Sequence, residues 1–201
     1  MIELKNLNKR FGDKLAVQDM NMVIKPGEVM GLIGQNGAGK TTTFRMVLDF
    51  IEPTSGEITW DGHKITSADK QRIGFLPEER GLYQKLTIEE QVMYFAELHG
   101  MKRADAKASL QDWMKRLDVV GKTTDKVQKL SKGNAQKVQL ISTVIFHPEF
   151  LILDEPFTGL DPATKQTVID LINELCSGKL LITSTHAKED AVLLNAKIIL
   201  L

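Results

Sequence analysis

The stretch GQNGAGKTT at residues 34–42 decides the fold, and it follows the apolar run Val29–Ile33. It fits the pattern G-x-x-x-x-G-K-[ST], in which successive backbone N–H groups converge on phosphate oxygens at the N-terminus of a helix. Lys40 is expected to reach the β- and γ-phosphates of a nucleotide, and Thr41 to coordinate Mg²⁺. A chance glycine-rich turn is the alternative, but strand, loop and helix patterns occur here in the order that phosphate binding requires. The sequence therefore predicts a nucleotide site at this phosphate loop.

A second apolar run, Phe150–Leu153, is followed directly by the carboxylates Asp154 and Glu155. Ligands of open α/β sheets collect at the carboxyl ends of the strands, so we expect both side chains near the phosphate loop. Asp154 is predicted to lie beside Thr41 and to hold Mg²⁺, and Glu155 to orient or deprotonate the water that attacks the γ-phosphate. The alternative is that the pair only caps the next helix. Hydrolysis is favoured over transfer of the phosphoryl group to a second substrate, because a carboxylate stands where a base would activate the attacking water.

The bulk composition argues against several classes of function. The 201 residues carry 26 Lys+Arg and 26 Asp+Glu, so there is no overall basic field and no nucleic-acid partner is expected. The single cysteine, Cys176, cannot form an intrachain disulfide, and no segment approaches the roughly 18 consecutive apolar residues of a transmembrane helix. The first residues also lack the apolar stretch of a signal peptide. We expect a cytosolic protein, in which any membrane function needs another polypeptide.

The order of patterns along the chain predicts an α/β fold. Apolar strands alternate with helices in the phosphate-loop region and again after residue 148, which predicts a mostly parallel sheet with right-handed crossovers. Alternating segments at 2–4 and 20–24 predict an additional antiparallel β-sheet, whereas 87–147 shows only helical patterns.

These patterns predict one domain over residues 1–201 with an insertion. Segments 1–86 and 148–201 are expected to form the nucleotide-binding core together with the antiparallel β subdomain, and 87–147 to form an inserted helical subdomain. A final strand pattern runs to Leu201 without a turn after it, so we also expect that the chain is truncated at its C-terminus.

Residues 130–134, LSKGN, resemble the signature loop LSGGQ of the nucleotide-binding subunit of ATP-binding cassette (ABC) transporters, and the resemblance covers essentially the whole chain. It implies a P-loop NTPase core of the RecA-like type that binds ATP with Mg²⁺. It also implies a second copy of the domain, with two ATP molecules sandwiched between head-to-tail partners and with Ser131 and Gly133 acting on the γ-phosphate held by the partner. An ordinary helix cap is the alternative role for Ser131.

Further positions match the family's pattern. Phe11 matches the aromatic residue that stacks on adenine, although a core position is the alternative. Asp161 lies in a segment, 156–161, that resembles the D-loop and would communicate across the dimer. His186 resembles the switch histidine that touches the γ-phosphate and positions the attacking water.

The resemblance and the phosphate-loop pattern together give the predicted site. The residues expected to bind the nucleotide are Phe11, Gly34, Asn36, Gly37, Ala38, Gly39, Lys40, Thr41, Thr42, Ser131, Gly133 and Asp161. The expected catalytic residues are Lys40, Glu155 and His186, and the expected metal ligands are Thr41, Glu78 and Asp154.

Three positions, Glu78, Lys132 and Asn134, depart from the common family pattern. Glu78 stands where many members have Gln; it can still bind Mg²⁺, but it adds negative charge beside the two carboxylates. Lys132 and Asn134 replace Gly and Gln of the signature, which adds a positive charge and shortens a polar side chain. The stretch PEERGLY at 77–83, together with SKGN, resembles the branch that contains sodium-extrusion and multidrug-type exporters.

The resemblance implies an ATP-hydrolysing motor subunit, which drives transport, with export favoured, through a separate transmembrane permease. The chain would then be peripheral on the inner face of the cell membrane. Leu82, Tyr83 and Leu86 are candidate exposed apolar contacts for the permease, with packing inside the subdomain as the alternative. The competing hypothesis is a soluble ABC ATPase that acts in translation or DNA metabolism. It is disfavoured because no second cassette, long coiled coil or basic arm is present.

Overall fold

Two β-sheets, seven α-helices and a short 3-10 helix, Val127–Lys129, lie within residues 1–79 and 81–201, which are the residues that the computed structural model describes. The strands are β1 Ile2–Phe11, β2 Lys14–Ile24, β3 Val29–Ile33, β4 Ser55–Trp60, β5 His63–Lys64, β6 Ile73–Leu76, β7 Phe150–Leu153, β8 Leu180–Thr185 and β9 Lys197–Leu200. The helices are α1 Lys40–Val47, α2 Ser67–Lys70, α3 Ile88–Leu98, α4 Arg103–Arg116, α5 Lys132–Val144, α6 Pro162–Leu175 and α7 Lys188–Leu193. Arg80, which belongs to the PEERGLY stretch, lies outside the described residues.

The central sheet is parallel, with strand order β6-β7-β8-β3-β9. Its middle strands are buried on both faces, as expected for apolar runs covered by helices on each side. Because all its strands run in one direction, the segments that follow β3, β7 and β8 emerge at the same edge. That edge carries the phosphate loop, the pair Asp154-Glu155 and His186. The predicted α/β fold with a mostly parallel sheet is confirmed.

A second sheet, with strand order β2-β1-β4-β5, is antiparallel and shares a hydrophobic cluster with the central sheet. Trp60 at the end of β4 packs edge-on against Phe150 of β7, with 5.9 Å between ring centroids. The first two strands are longer than the predicted 2–4 and 20–24, because backbone irregularities interrupt their alternation. Asn6 and Asp19, both with positive φ, lie at these irregularities, where their main-chain N–H groups donate to the side-chain oxygens of Asn21 and Asn8.

Helices α3, α4 and α5 pack against one another within the segment 87–147. The division of the chain into a core and an inserted subdomain stays a prediction. Their apolar faces join the same buried cluster as Leu76, Leu151 and Phe157 of the core. Leu82, predicted as an exposed contact, is buried in that cluster, so this prediction was wrong. The main-chain N–H of Tyr83 donates to Gln91 Oε1 at 2.9 Å, which fixes the segment on α3 with Leu82 inside. Tyr83 itself is exposed, and Leu86 is half-buried.

A buried carboxylate, Asp69 at the first turn of α2, joins the edge of the antiparallel sheet to the central sheet. It accepts hydrogen bonds from Thr66 N at 2.9 Å and Thr66 Oγ1 at 2.7 Å, and it contacts His63 Nε2 and Arg72 NH1 at 3.1 Å each. The hydrogen bonds from Thr66, and then the contact with His63, lower the pKa of Asp69 from 3.8 to about 2. Arg72 also pairs with Glu149, immediately before β7. The carboxylate therefore stabilises the fold in its charged form.

The depressed pKa of Asp69 predicts a loss of stability in acid. An unfolded Asp has a pKa of about 3.9, so the stabilisation is fully present above that pH and is lost as pH falls toward the folded value near 2. We expect Asp69→Asn to lower the free energy of unfolding at pH 7 by roughly 1–3 kcal/mol. Urea titrations at pH 7 and pH 3 measure both effects. The exposed Asp112→Asn is the control, and a variant Asp69→Asn as acid-sensitive as the unaltered protein would contradict this role.

Candidate nucleotide-binding and catalytic site

The phosphate loop connects β3 to α1, and its glycines are required by its geometry. Gly39 has φ +101°, and a Cβ there would collide with the carbonyl oxygen of Ala16. Gly37 also has positive φ, but a Cβ there would meet nothing within 4 Å, so this part of the loop faces open space. The first amides of α1 have no partner within the helix, as at any helix N-terminus. The loop thus presents main-chain donors in a position suited to an anion.

Lys40, the first residue of α1, is buried and folds back over the loop. Its ammonium donates to Gly34 O at 2.7 Å and to Gln35 O at 3.3 Å, and its Nζ lies 3.4 Å from Glu155 Oε1. The structure therefore brings together two of the predicted catalytic residues, which follow the carboxyl ends of β3 and β7 at the same edge of the central sheet.

Asp154, at the end of β7, is almost fully buried and bridges two hydroxyl groups. Thr41 Oγ1 donates to Asp154 Oδ2 at 2.8 Å, and Ser184 Oγ donates to Asp154 Oδ1 at 2.5 Å. Ser184 Oγ also accepts from the N–H of Glu155 at 2.9 Å. The predicted proximity of Thr41 and Asp154 is thus present, while their role toward a metal stays a prediction. The alternative that the carboxylate pair caps the next helix is wrong, because Asp161 caps α6.

Glu155 and His186 contact each other across the carboxyl ends of β7 and β8. His186 Nδ1 lies 3.0 Å from Glu155 Oε2, and the His186 side chain is 63% exposed. Glu155 is only 6% exposed and has φ +48°, a left-handed conformation that is uncommon for a residue with a side chain. Its Oε1 has no hydrogen-bond partner among residues 1–79 and 81–201, although the ammonium of Lys40 is close. A buried acceptor held in this way can accept a proton from a bound water.

A cleft of about 310 Å³ opens above the phosphate loop. It is lined by Phe11, Lys14, Ala16, Gln35, Asn36, Gly37, Ala38, Gly39, Lys40, Thr41, Thr42 and Glu78. The Phe11 ring is 51% exposed, so the alternative that it is a core residue is wrong. Glu78 lines the same cleft as Thr41, from the segment after β6.

Ser131, Gly133 and Asp161 lie apart from this cleft, at the N-termini of α5 and α6. Ser131 Oγ accepts from Asn134 N at 3.3 Å, so it does cap α5, and its role toward a nucleotide stays a prediction. Asp161 accepts from the N–H groups of Ala163 and Thr164, and the hydrogen bonds from Thr164 lower the pKa of Asp161. A Cβ at Gly133 would lie 3.9 Å from Asp161 Oδ2, so the two helix ends are close neighbours. Within one copy, the structure does not bring these three residues to the phosphate loop.

The departures from the signature pattern make contacts that the sequence did not predict. The side chain of Asn134 pairs with both main-chain groups of Val120, at 3.2 Å each. The side chain of Lys132 lies over Gly159, where a Cβ would collide with it. Ser184 was also missed as a site residue. The polar run at the end of β8 signalled its position, but its contact with Asp154 depends on β8 lying next to β7.

Comparison with known proteins shows similarity to one family along most of the chain. The family model described as "ABC transporter" matches residues 17–158. The chain is 44% identical to the ABC transporter ATP-binding protein YhaQ of Bacillus subtilis, over 94% of this chain and 64% of that protein. It is 38% identical to the ABC transporter ATP-binding protein NatA of Bacillus subtilis, over 100% of this chain and 85% of that protein. It is 34% identical to the Nod factor export ATP-binding protein I of Burkholderia orbicola, over 94% of this chain and 64% of that protein.

A solved structure with the same fold is a dimeric ATP-binding cassette in a post-hydrolysis state, bound to ADP and Pi. It superposes with a TM-score of 0.89 at 25% identity and covers 100% of this chain and 94% of that chain. The present chain spans just under two thirds of the length of two of the relatives above. Within the described part of the chain, none of the helices has the length and apolar character needed to cross a membrane.

Proposed function

This chain belongs to the ABC transporter family, and from its site we propose that it is the ATP-binding and ATP-hydrolysing subunit that drives transport through a separate membrane subunit. One observation carries the proposal. The buried carboxylate of Glu155 is held between Lys40 and His186, beside the Thr41–Asp154 pair and above a glycine loop with free main-chain donors. A binding protein without turnover would have no need for this buried, incompletely hydrogen-bonded acid.

ATP would bind in the cleft of about 310 Å³, with its phosphates on the loop Gly34–Thr42. Lys40 would transfer its hydrogen bonds from the carbonyl oxygens of Gly34 and Gln35 to the β- and γ-phosphates. Phe11, exposed at the rim of the cleft, would stack on the adenine.

The oxygen donors beside the phosphates fit Mg²⁺. Thr41 and Asp154 supply a hydroxyl and a carboxylate already in contact, and Glu78 could add a second carboxylate. Among residues 1–79 and 81–201, no three or more His, Cys, Asp or Glu side chains gather as a metal site. That agrees with Mg²⁺, which usually takes one or two protein ligands and completes its shell with water and phosphates. When bound, the ion would neutralise charge on the phosphate oxygens.

Hydrolysis would use Glu155 as the acceptor of the proton from water. As the water oxygen attacks the γ-phosphorus, its O–H proton passes to Glu155 Oε1, and the bond between the γ-phosphorus and the bridging oxygen breaks to give ADP and phosphate. His186 would hold Oε2 of the same carboxylate, which keeps Oε1 directed at the water. Lys40 would stabilise the negative charge on the γ-phosphate.

A second copy of the chain would complete each site. Ser131 and Gly133 lie away from the cleft of their own copy, at the N-terminus of α5, which is suited to an anion, and Asp161 lies close by at the N-terminus of α6. The similar cassette in its ADP- and Pi-bound state is dimeric, which supports a head-to-tail dimer with two ATP molecules at the interface. ATP binding and closure of the two copies would then be linked.

The permease would dock on an apolar cleft of about 280 Å³ between the helices and the central sheet. It is lined by Leu48, Phe50, Lys70, Ile73, Phe75, Pro77, Gly81, Leu82, Gln91, Phe95, His99, Gln139, Ser142, Thr143 and Phe146. Gln91 Nε2 and Gln139 Oε1 are buried here without a partner among the described residues, and a main-chain peptide group could satisfy both. Export is the direction we propose, with the chain on the cytoplasmic face of the membrane and without a nucleic-acid partner.

The direct test is co-expression of the full-length protein with the multi-span membrane protein encoded beside it. We expect the two to co-purify and the complex to hydrolyse ATP, with stimulation by the transported substrate. Co-purification with ribosomes or DNA, and not with a membrane protein, would instead support the soluble alternative and contradict the transport role.

Replacement of Phe11 tests the adenine contact separately. Because stacking contributes about 1 kcal/mol, Phe11→Ala should raise the Kd for ATP roughly fivefold. Calorimetric titration with ATP measures the change. Phe50→Ala, which removes another exposed phenylalanine outside the nucleotide cleft, is the matched control. An equal Kd for ATP in Phe11→Ala and Phe50→Ala would contradict the contact between Phe11 and the adenine.

A further inference from the structure

An ion pair between Lys165 of α6 and Asp190 of α7 lies next to the proposed catalytic residues. The Asp190 side chain is only 7% exposed, and Lys165 Nζ pairs with its Oδ1. The same ammonium lies 5.6 Å from the centroid of the Phe157 ring, two residues after Glu155. Lys165 therefore contacts both the segment that follows Glu155 and the helix that follows His186.

The second oxygen of Asp190 contacts the residue before His186. Thr185 Oγ1 lies 3.4 Å from Asp190 Oδ2, and it accepts from the N–H of Ala187 at 3.0 Å. The hydroxyl of Thr185 therefore ties the two ends of a tight turn, of which His186 is the middle residue. The acceptors within reach of that hydroxyl are Asp190 Oδ2 and, at 3.3 Å, the carbonyl oxygen of Ala187, so Asp190 is one of the two contacts that orient it.

These contacts close a ring through both catalytic residues. The ring runs from Glu155 along the chain to Phe157, then through Lys165, Asp190 and Thr185 to His186, and back to Glu155. The ring depends on the Lys165–Asp190 pair, because no other contact in it joins α6 to α7. Loss of the Lys165 charge would leave the almost fully buried Asp190 without its cation, and loss of the Asp190 charge would release the half-buried Lys165 ammonium, so either change displaces the groups around the pair.

We propose that Lys165 and Asp190 are positioning residues, which hold His186 against Glu155 at the distance needed for ATP hydrolysis. This inference rests on the proposed function, because it acts through the same two residues. A carboxylate in the first turn of α7 would stabilise that helix without Lys165. The specific prediction is therefore that the pair acts through His186, and not only on stability.

A double-mutant cycle between Asp190 and His186 tests this in the full-length protein. We expect Asp190→Asn to lower kcat at least tenfold while changing KM for ATP less than twofold. In a His186→Ala background, the same substitution should lower kcat less than twofold further, because the residue it positions is already gone. Lys165→Met should repeat the effect of Asp190→Asn, and Lys165→Arg should largely preserve kcat. Glu89→Gln, which breaks the partly exposed pair with Lys107 between α3 and α4, is the control.

The outcomes separate this inference from the proposed function. Equal losses of kcat in both backgrounds, or no loss at all, would overturn the positioning role while leaving ATP hydrolysis intact. Absence of ATP turnover in the unaltered protein would overturn the proposed function itself. A nucleotide-free measurement remains in that case: the ring-proton NMR signals of His186 should shift in Asp190→Asn and Lys165→Met, but not in Glu89→Gln. Unchanged signals in the first two would contradict the ring.

Discussion

Replacement of Glu155 by Gln should reduce steady-state ATP hydrolysis by about 10²- to 10⁴-fold, the usual contribution of a general base. Gln has nearly the same shape but cannot take the proton from the attacking water. The contact with His186 can persist, because the amide keeps an oxygen in place of Oε2. ATP binding should survive, so the variant should accumulate as an ATP-dependent dimer. Phosphate release and sedimentation velocity measure the two effects.

Glu174→Gln provides the control for this experiment. Glu174 is an exposed carboxylate near the end of α6 whose partner is Arg116, far along the chain from the phosphate loop. Its replacement should leave turnover and dimerisation unchanged. Turnover of Glu155→Gln within a few-fold of the unaltered protein would remove Glu155 from the role of base.

Replacement of Lys40 by Ala should act at the earlier step and weaken ATP binding. Charge-assisted hydrogen bonds contribute about 1.5–3 kcal/mol, so the Kd for ATP should rise roughly 10- to 150-fold. The ammonium also lies 3.4 Å from the buried carboxylate of Glu155, and its loss should disfavour any further anion there. ATP-dependent dimerisation should be lost at nucleotide concentrations that saturate the unaltered protein.

The neighbouring Lys14→Ala is the matched control for Lys40→Ala. Lys14 lines the same cleft from β2, but it is exposed and outside the phosphate loop. Its removal should change the Kd for ATP far less than the removal of Lys40. Equal effects of the two substitutions would mean that only the general positive charge of the cleft matters, which would contradict the specific role of the phosphate-loop lysine.

Much of the fold could be predicted from local patterns, and the bounds of α6 show why. Asp161-Pro162 is a strong start signal, since Asp caps a helix and Pro is favoured at its first position, and the structure begins α6 at Pro162. The strand Phe150–Leu153 was equally clear from its unbroken apolar run. The strands β1 and β2 were predicted too short because residues with positive φ inside them, Asn6 and Asp19, interrupt the alternation of apolar and polar side chains. Leu82 was placed on the surface because nothing in the sequence shows which side of its segment faces α3.

The sequence predicted those contacts of the site that lie within or between recognisable motifs. The contact between Thr41 and Asp154 followed from two strands whose carboxyl ends share one edge of a sheet. The contacts of Ser184 and the Lys165–Asp190 pair could not be predicted in the same way. They depend on strand order and on the packing of α6 against α7, which no local pattern fixes. The sequence also could not show that Lys132 would lie over Gly159.

The most direct measurement is an intermolecular cross-link between the phosphate loop of one copy and the signature loop of another. Gln35→Cys and Lys132→Cys place single reactive thiols on exposed positions of the two loops. The native Cys176 should stay inert, because burial raises its pKa to about 12. The two variants, each also carrying Glu155→Gln, are mixed and treated with a short bifunctional thiol reagent. A cross-linked heterodimer that forms with ATP and not with ADP is the predicted result. Cross-links only between identical variants, or none that depend on ATP, would contradict a head-to-tail dimer closed by ATP.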